Sequence, residues 1–154
     1  KRSYYDAIHS LKDDTIVIHM ELSDWLGRSN IFEKLAQTFT NSDVWLAYSP
    51  YIDYPSYSKQ LDHPDKEEKW WKLHNRKTEW MSSPLKIFYA GLFKEVKFDL
   101  IDPKQLKPRL QLSVFLLPMA EKAKKHIWYI KDTLYYHDSR NENSQDTLVY
   151  LPSF

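Results

Sequence analysis

The scarcity of glycine restricts this chain most, because its 154 residues include only Gly27 and Gly91. Glycine lets a backbone approach a phosphate closely or adopt a left-handed turn without steric cost. Two isolated glycines cannot build a glycine-rich phosphate loop or a dinucleotide-binding fingerprint, so both classes of nucleotide-binding protein are excluded. Six tryptophans, eleven tyrosines and seven phenylalanines indicate instead a well-packed core, with rings left over for binding surfaces.

The length and composition predict one globular domain over residues 1–154. A chain of 18.6 kDa buries roughly two thirds of its unfolded surface, enough for a core that needs no disulfide or metal. Its formal net charge of +1 provides no overall attraction to nucleic acid or to an acidic membrane. Because the chain starts Lys1-Arg2-Ser3, we also consider that it was excised from a longer or membrane-anchored protein.

Two residue types limit the chemistry further. The chain has no cysteine, which excludes disulfides, thiolate metal sites and cysteine nucleophiles. Its six histidines form no close helical pair of the kind that binds zinc. The sequence therefore predicts no metal and no small-molecule cofactor.

Apolar and polar residues alternate along several segments with the period of a β-strand. These segments are 15–22, 44–48, 85–89, 95–101, 109–117, 128–136 and 147–151. Helical spacing of apolar residues predicts one helix beginning at Asn30, where Glu33 completes a capping-box-like start, and another over about 64–80. A third, short helix is expected over 4–11. Short connections favour antiparallel pairing, so we predict an α+β fold: a mainly antiparallel sheet or sandwich of about seven strands with two or three packed helices.

Surplus aromatic residues suggest a surface for a protein partner. In the predicted helix over 64–80, Trp71 points away from the side that carries the other tryptophans. A second group, with prolines among them and without strand or helix periodicity, is formed by Tyr48, Tyr51, Tyr54 and Tyr57. Tyrosine-rich loops of this type commonly face a ligand or partner. We predict that these five residues bind a partner.

A basic segment offers a different interpretation. Lys122, Lys124 and Lys125 lie in one predicted connection and could bind an anionic membrane surface or another polyanion. Aromatic residues do not alternate with these lysines as they do in proteins that bind single-stranded nucleic acid. We therefore disfavour nucleic acid as the partner and retain anionic-surface binding as an alternative.

One short pattern points to an enzyme instead. Pro64-Asp65, followed by Glu95-Val96-Lys97, resembles the signature of a large family of magnesium-dependent nucleases. The resemblance implies that Asp65 and Glu95 hold the cation while Lys97 helps to activate water. The same residues suit the first turn of a helix and the solvated side of a strand.

The absence of other catalytic motifs favours a non-enzymatic domain. The preferred hypothesis is a protein-interaction module, a subunit of a larger or membrane-linked assembly, that recognises its partner through aromatic anchors. A metal-dependent phosphodiesterase is the first alternative, and anionic-surface binding is the second.

Overall fold

A computed structural model of the chain describes residues 4–60, 83–97, 108–140 and 146–151. The described chain is α+β, as the sequence predicts. Its helices are α1 (Tyr4–His9), α2 (Ile31–Thr40), α3 (Ala90–Lys94) and α4 (Pro108–Ala123), the last followed by a 3₁₀ turn at Lys124–His126. No helix among these residues is long and apolar enough to cross a membrane.

The described strands form two sheets. The first contains β1 (Ile16–Glu21), β3 (Leu46–Tyr48), β6 (Lys86–Tyr89), β7 (Ile127–Tyr129) and β9 (Asp146–Leu151), in the order β7-β3-β6-β1-β9. The second contains β2 (Trp25–Leu26), β4 (Tyr51–Tyr54), β5 (Ser58–Gln60) and β8 (Tyr135–Asp138), in the order β2-β8-β4-β5. Only β3 with β7 and β4 with β8 pair in parallel among the described strands.

The first sheet is buried on both faces. Val17, Leu46 and Phe88 lie in one apolar cluster with side chains of α1, α3 and α4. Alternate residues of the same strands, such as Ile18 and Ile87, lie in a second cluster with α2 and with Tyr135 of the second sheet. Since successive strand residues point to opposite faces, this division explains why the consecutive β1 residues Ile16, Val17 and Ile18 are all apolar and buried.

The predicted strand over 109–117 is wrong, because this segment begins the helix α4. Pro108 occupies the first helical position, where a missing N–H costs nothing, and Pro118 lies inside the helix. The buried residues Phe115, Met119 and Ala123 recur at helical spacing. Packing of this face against the first sheet outweighs the apparent strand alternation, and it also outweighs the cost of a proline within a helix, which is about 3 kcal/mol.

Other boundaries also differ from the prediction. The described part of the segment 95–101, residues 95–97, is not a strand, and the segment 128–136 divides into β7 and β8, which belong to different sheets. Ile130 and Leu134 are buried between these strands, and this burial holds the chain as it passes from one sheet to the other. Asn30 precedes α2, but its side chain makes no capping hydrogen bond. The described chain therefore has more strands than the seven expected.

Candidate functional site

One face of the second sheet carries a continuous row of aromatic rings, which we call the aromatic ladder: Tyr136, Trp25, Tyr54 and Tyr57. The rings of Trp25 and Tyr136 stack with centroids 5.4 Å apart and planes 5° from parallel. Trp25 meets Tyr54 edge-on at 5.4 Å, and Tyr54 meets Tyr57 edge-on at 5.5 Å. These are favourable arrangements for aromatic pairs. Trp25 remains 39% exposed and Tyr57 65% exposed.

Strand register places the ladder residues on one side. Trp25 pairs with Tyr136 between β2 and β8, while Tyr54 pairs with Asp138 between β4 and β8. Directly opposed residues share a face, and residues two apart on one strand do so as well. Gly27 leaves room for the Tyr136 ring, because a Cβ at this position would lie 2.6 Å from Tyr136 Cε2.

The turn between β4 and β5 holds Tyr57 outward. Tyr57 has a φ of 56°, a left-handed conformation that is costly for a residue with a side chain. Its N–H donates to the Asp53 carbonyl at 2.6 Å, and Ser56 Oγ donates to the Asp53 carboxylate at 3.0 Å. A bulky, exposed ring at a position that favours glycine points to a function for that ring.

Arg140 covers Tyr54, an inner ring of the ladder. Its guanidinium lies 4.4 Å from the centroid of the Tyr54 ring. Nε and Nη2 of the same group donate to the two oxygens of the buried Asp138 carboxylate, each at 2.9 Å. This bidentate arrangement lowers the pKa of Asp138 below its ordinary value and fixes the guanidinium plane over the ring.

A polar cluster lies behind the ladder, centred on the buried carboxylate of Asp24. One oxygen accepts the Asp138 N–H at 2.8 Å. The other accepts from the Tyr135 hydroxyl and from His137 Nδ1, the latter at 3.1 Å. Since a carboxylate has no proton to give, we place the Nδ1 proton on His137. Burial, followed by the hydrogen bond to Asp24, raises the pKa of Tyr135.

This cluster is also the one set of metal-ligating side chains within the described residues. Possible ligand atoms of Glu21, Asp24 and His137 all lie within 4.8 Å of one another. However, both oxygens of Asp24 already accept hydrogen bonds that tie the β1–β2 connection to β8. The cluster therefore acts first as a joint that holds Trp25 beside Tyr136.

The structure describes four of the five predicted partner-binding residues. Tyr51, Tyr54 and Tyr57 form a hairpin of β4 and β5, not the unordered loop expected, and Tyr54 and Tyr57 belong to the ladder. Tyr48 is only 6% exposed in β3. Trp71 lies outside the described residues.

The described residues of the two alternative hypotheses lie after α3 and at the end of α4. Glu95 directly follows α3 and is paired with Lys122, with Oε2 and Nζ 2.6 Å apart. Lys97 is exposed and Asp65 lies outside the described residues. Lys124 and Lys125 are exposed in the 3₁₀ turn.

Sequence reasoning missed Trp25, Asp24, Tyr136, His137 and Arg140. The strand β2 has only two residues, too few for a periodicity signal. The sequence shows alternation around Tyr136, but it does not show that the strand β2 pairs with this segment. No family model, curated protein or solved structure matches the chain, so a function for the ladder rests on its geometry alone.

Proposed function

We propose that this protein is a non-enzymatic interaction module that binds a protein partner through the aromatic ladder and Arg140. The observation that supports this most directly is the row of touching rings that includes the exposed Trp25 and Tyr57. Tryptophan, tyrosine and arginine are the residues most enriched at the energetic centres of protein interfaces. A subunit role in a larger or membrane-linked assembly belongs to the same proposal.

The rigidity of the ladder adds support. Each ring is held by a neighbouring ring, and Tyr54 is also covered by Arg140. Because these side chains are ordered before a partner arrives, binding costs less conformational entropy, which is about 0.5–1.5 kcal/mol for each mobile side chain immobilised. Such anchors suit a partner that presents apolar side chains surrounded by polar groups.

We also infer that the two sheets stack as a sandwich. Tyr135 on the inner face of the second sheet shares an apolar cluster with Ile18 and Ile87 of the first. The partly buried Leu26 and Tyr51 pack against the same cluster. This arrangement would leave the opposite face of the second sheet, with its ladder, available to a partner.

Site-specific photo-crosslinking in the cells that produce the protein tests the proposal. A photoreactive phenylalanine analogue is placed at Trp25 or Tyr57, and at two positions of matched exposure that are not part of the ladder. Phe32 is 40% exposed and matches Trp25, and Leu22 is 64% exposed and matches Tyr57. We expect one defined adduct from the ladder positions only, and direct binding when that partner is purified.

The Tyr54→Ala variant provides the specificity control. Removing the central ring should weaken binding of the purified partner by about 2 kcal/mol, roughly thirtyfold. Adducts of equal yield at Phe32 and Leu22, or partner binding that Tyr54→Ala leaves unchanged, would contradict the proposal.

A further inference from the structure

A cleft bordered by α2, α3 and the first sheet combines an apolar floor with an acidic rim. It has a volume of about 560 Å³, within the size range of small-ligand sites. Buried Ile16, Phe39 and Leu92 form the floor, and the partly buried rings of Trp45 and Tyr89 line it. The cleft shares no residue with the aromatic ladder.

Among the described residues, the charged side chains that line the cleft are all carboxylates: Asp13, Asp14 and Glu95. Two of them are neutralised, since Asp13 lies 2.7 Å from Lys94 Nζ and Glu95 is paired with Lys122. Asp14 has no ion-pair partner among the residues that the structure describes. The cleft therefore presents one available negative charge beside aromatic rings.

The loop that carries Asp13 and Asp14 is held in place by hydrogen bonds to the start of α3, and the aromatic rings have supports of their own. Gly91 N–H donates to the Asp13 carbonyl and Ala90 N–H to the Thr15 carbonyl, each at 2.9 Å. A Cβ on Gly91 would lie 3.1 Å from that Asp13 carbonyl oxygen, so the glycine permits this close approach. The loop that carries Asp14 is therefore fixed to the start of α3.

Each aromatic wall has its own support. The Trp45 ring stacks on His126 with centroids 3.9 Å apart and planes 8° from parallel. The Tyr89 hydroxyl donates to the Phe39 carbonyl at 2.9 Å. Burial, with the charge of Asp14 as a second cause, raises the pKa of Tyr89, which places the negative potential of Asp14 on this wall. A preformed cleft of this kind binds ligands with little ordering cost.

We propose that this cleft binds a small organic cation, a primary ammonium group carried on an apolar stem. The ammonium would lie at the rim near Asp14 and the ring faces, which attract cations, and the stem would lie on the apolar floor. A free amine and the lysine side chain of a polypeptide share this chemistry.

Nuclear magnetic resonance titration of the whole chain tests the proposal. The probes are hexylammonium, hexan-1-ol as its neutral counterpart, and Nα-acetyl-lysine methylamide. We expect the indole N–H signal of Trp45 to shift as hexylammonium is added. The dissociation constant obtained from this shift should be about fivefold lower for hexylammonium than for hexan-1-ol. The signal of Trp128, which is exposed and does not line the cleft, serves as the unshifted control. Tighter binding of hexylammonium than of the lysine derivative identifies a free amine, and the reverse order identifies a polypeptide.

The Asp14→Asn variant identifies the carboxylate responsible. It should reduce the preference for the amine over the alcohol about threefold, as should high salt. Glu121→Gln, at an exposed carboxylate that does not line the cleft, should leave the preference unchanged. Equal binding of hexylammonium and hexan-1-ol to the unaltered protein, or a preference unchanged in Asp14→Asn, would overturn the proposal.

Discussion

Arg140 lies over the ring of Tyr54, with its guanidinium carbon 4.4 Å from the ring centroid. The same guanidinium binds both oxygens of Asp138, the residue opposite Tyr54 in the β4–β8 register. One side chain thus connects the exposed ladder to a buried carboxylate. The proposed binding surface and the stability of the second sheet are therefore linked at this residue.

Replacing Arg140 with methionine should alter the acid stability of the protein. Arg140 lowers the pKa of Asp138 below its ordinary value of 3.8. A carboxylate with a lowered pKa in the folded state stabilises it above the unfolded pKa, and this contribution is lost as pH falls through the folded pKa. Arg140→Met should therefore be less stable near neutral pH and lose less stability on acidification below about pH 4. Urea unfolding at a series of pH values measures this effect, with Lys125→Met as an exposed control. Parallel pH curves for the wild type and Arg140→Met would refute this interpretation.

Replacing Gly27 with alanine should disrupt the ladder by displacing the Tyr136 ring. The new Cβ would lie 2.6 Å from Cε2 and 3.0 Å from Cδ2 of Tyr136, so the ring must leave its stack on Trp25. We expect a loss of about 1 kcal/mol in the free energy of unfolding. In a double-mutant cycle with Tyr136→Ala this penalty should disappear. A penalty that persists without the Tyr136 ring would mean that the glycine serves another purpose.

The Tyr135 hydroxyl should contribute to the stability of the protein, whereas the hydroxyl of the next residue, Tyr136, should not. In Tyr135→Phe the buried Asp24 carboxylate loses a donor, and the Glu21 N–H loses the acceptor that it reaches at 3.2 Å. We expect the free energy of unfolding to fall by about 1–3 kcal/mol. Tyr136→Phe is the matched control, because that hydroxyl makes no hydrogen bond to a described residue. Equal effects of the two substitutions on urea unfolding would argue against the joint at Asp24.

The buried Lys86 should make stability depend on alkaline pH. Burial lowers the pKa of Lys86 from 10.5 to about 7, so between these values the unfolded chain binds more protons than the folded one. The free energy of unfolding should then rise as pH increases through this window, by up to about 1.4 kcal/mol per pH unit. Below about pH 7 the buried Lys86 is charged in the folded protein, and its destabilising effect should be largest there. Lys86→Met should remove this slope and stabilise the protein most at low pH. Urea unfolding across the window, with Lys97→Met as the exposed control, measures it. An identical slope in Lys86→Met would disprove the assignment.

Strands buried in the first sheet could be predicted from sequence because their local pattern and their packing agree. The segment around Ile16–Glu21 is apolar on alternate residues and remains a strand in the structure. The helix α4 could not be predicted, since residues 109–117 fit a period of two while Phe115, Met119 and Ala123 fit the helical period. Only packing, such as the Phe93 and Phe115 rings 4.3 Å apart, decides between the two.

The candidate site was only partly predictable for a related reason. Tyr54 and Tyr57 stood out because they are aromatic residues in a turn-rich segment. Trp25 becomes part of a strand only through its pairing with Tyr136, and Asp24 gains its role only beside His137, 113 positions away. Local periodicity carries no information about such pairings.

The parallel pairing of β4 with β8 affects when the second sheet can form during folding. It joins Tyr51 to Tyr135 and Tyr54 to Asp138, so a long intervening chain must close before these strands meet. Contacts between residues so distant in sequence form slowly, because the entropy of loop closure opposes them. During synthesis, Trp25 and Tyr54 leave the ribosome well before Tyr136 and Arg140. The aromatic ladder is therefore complete only after Tyr136 has emerged, so a shorter nascent chain lacks the proposed binding surface.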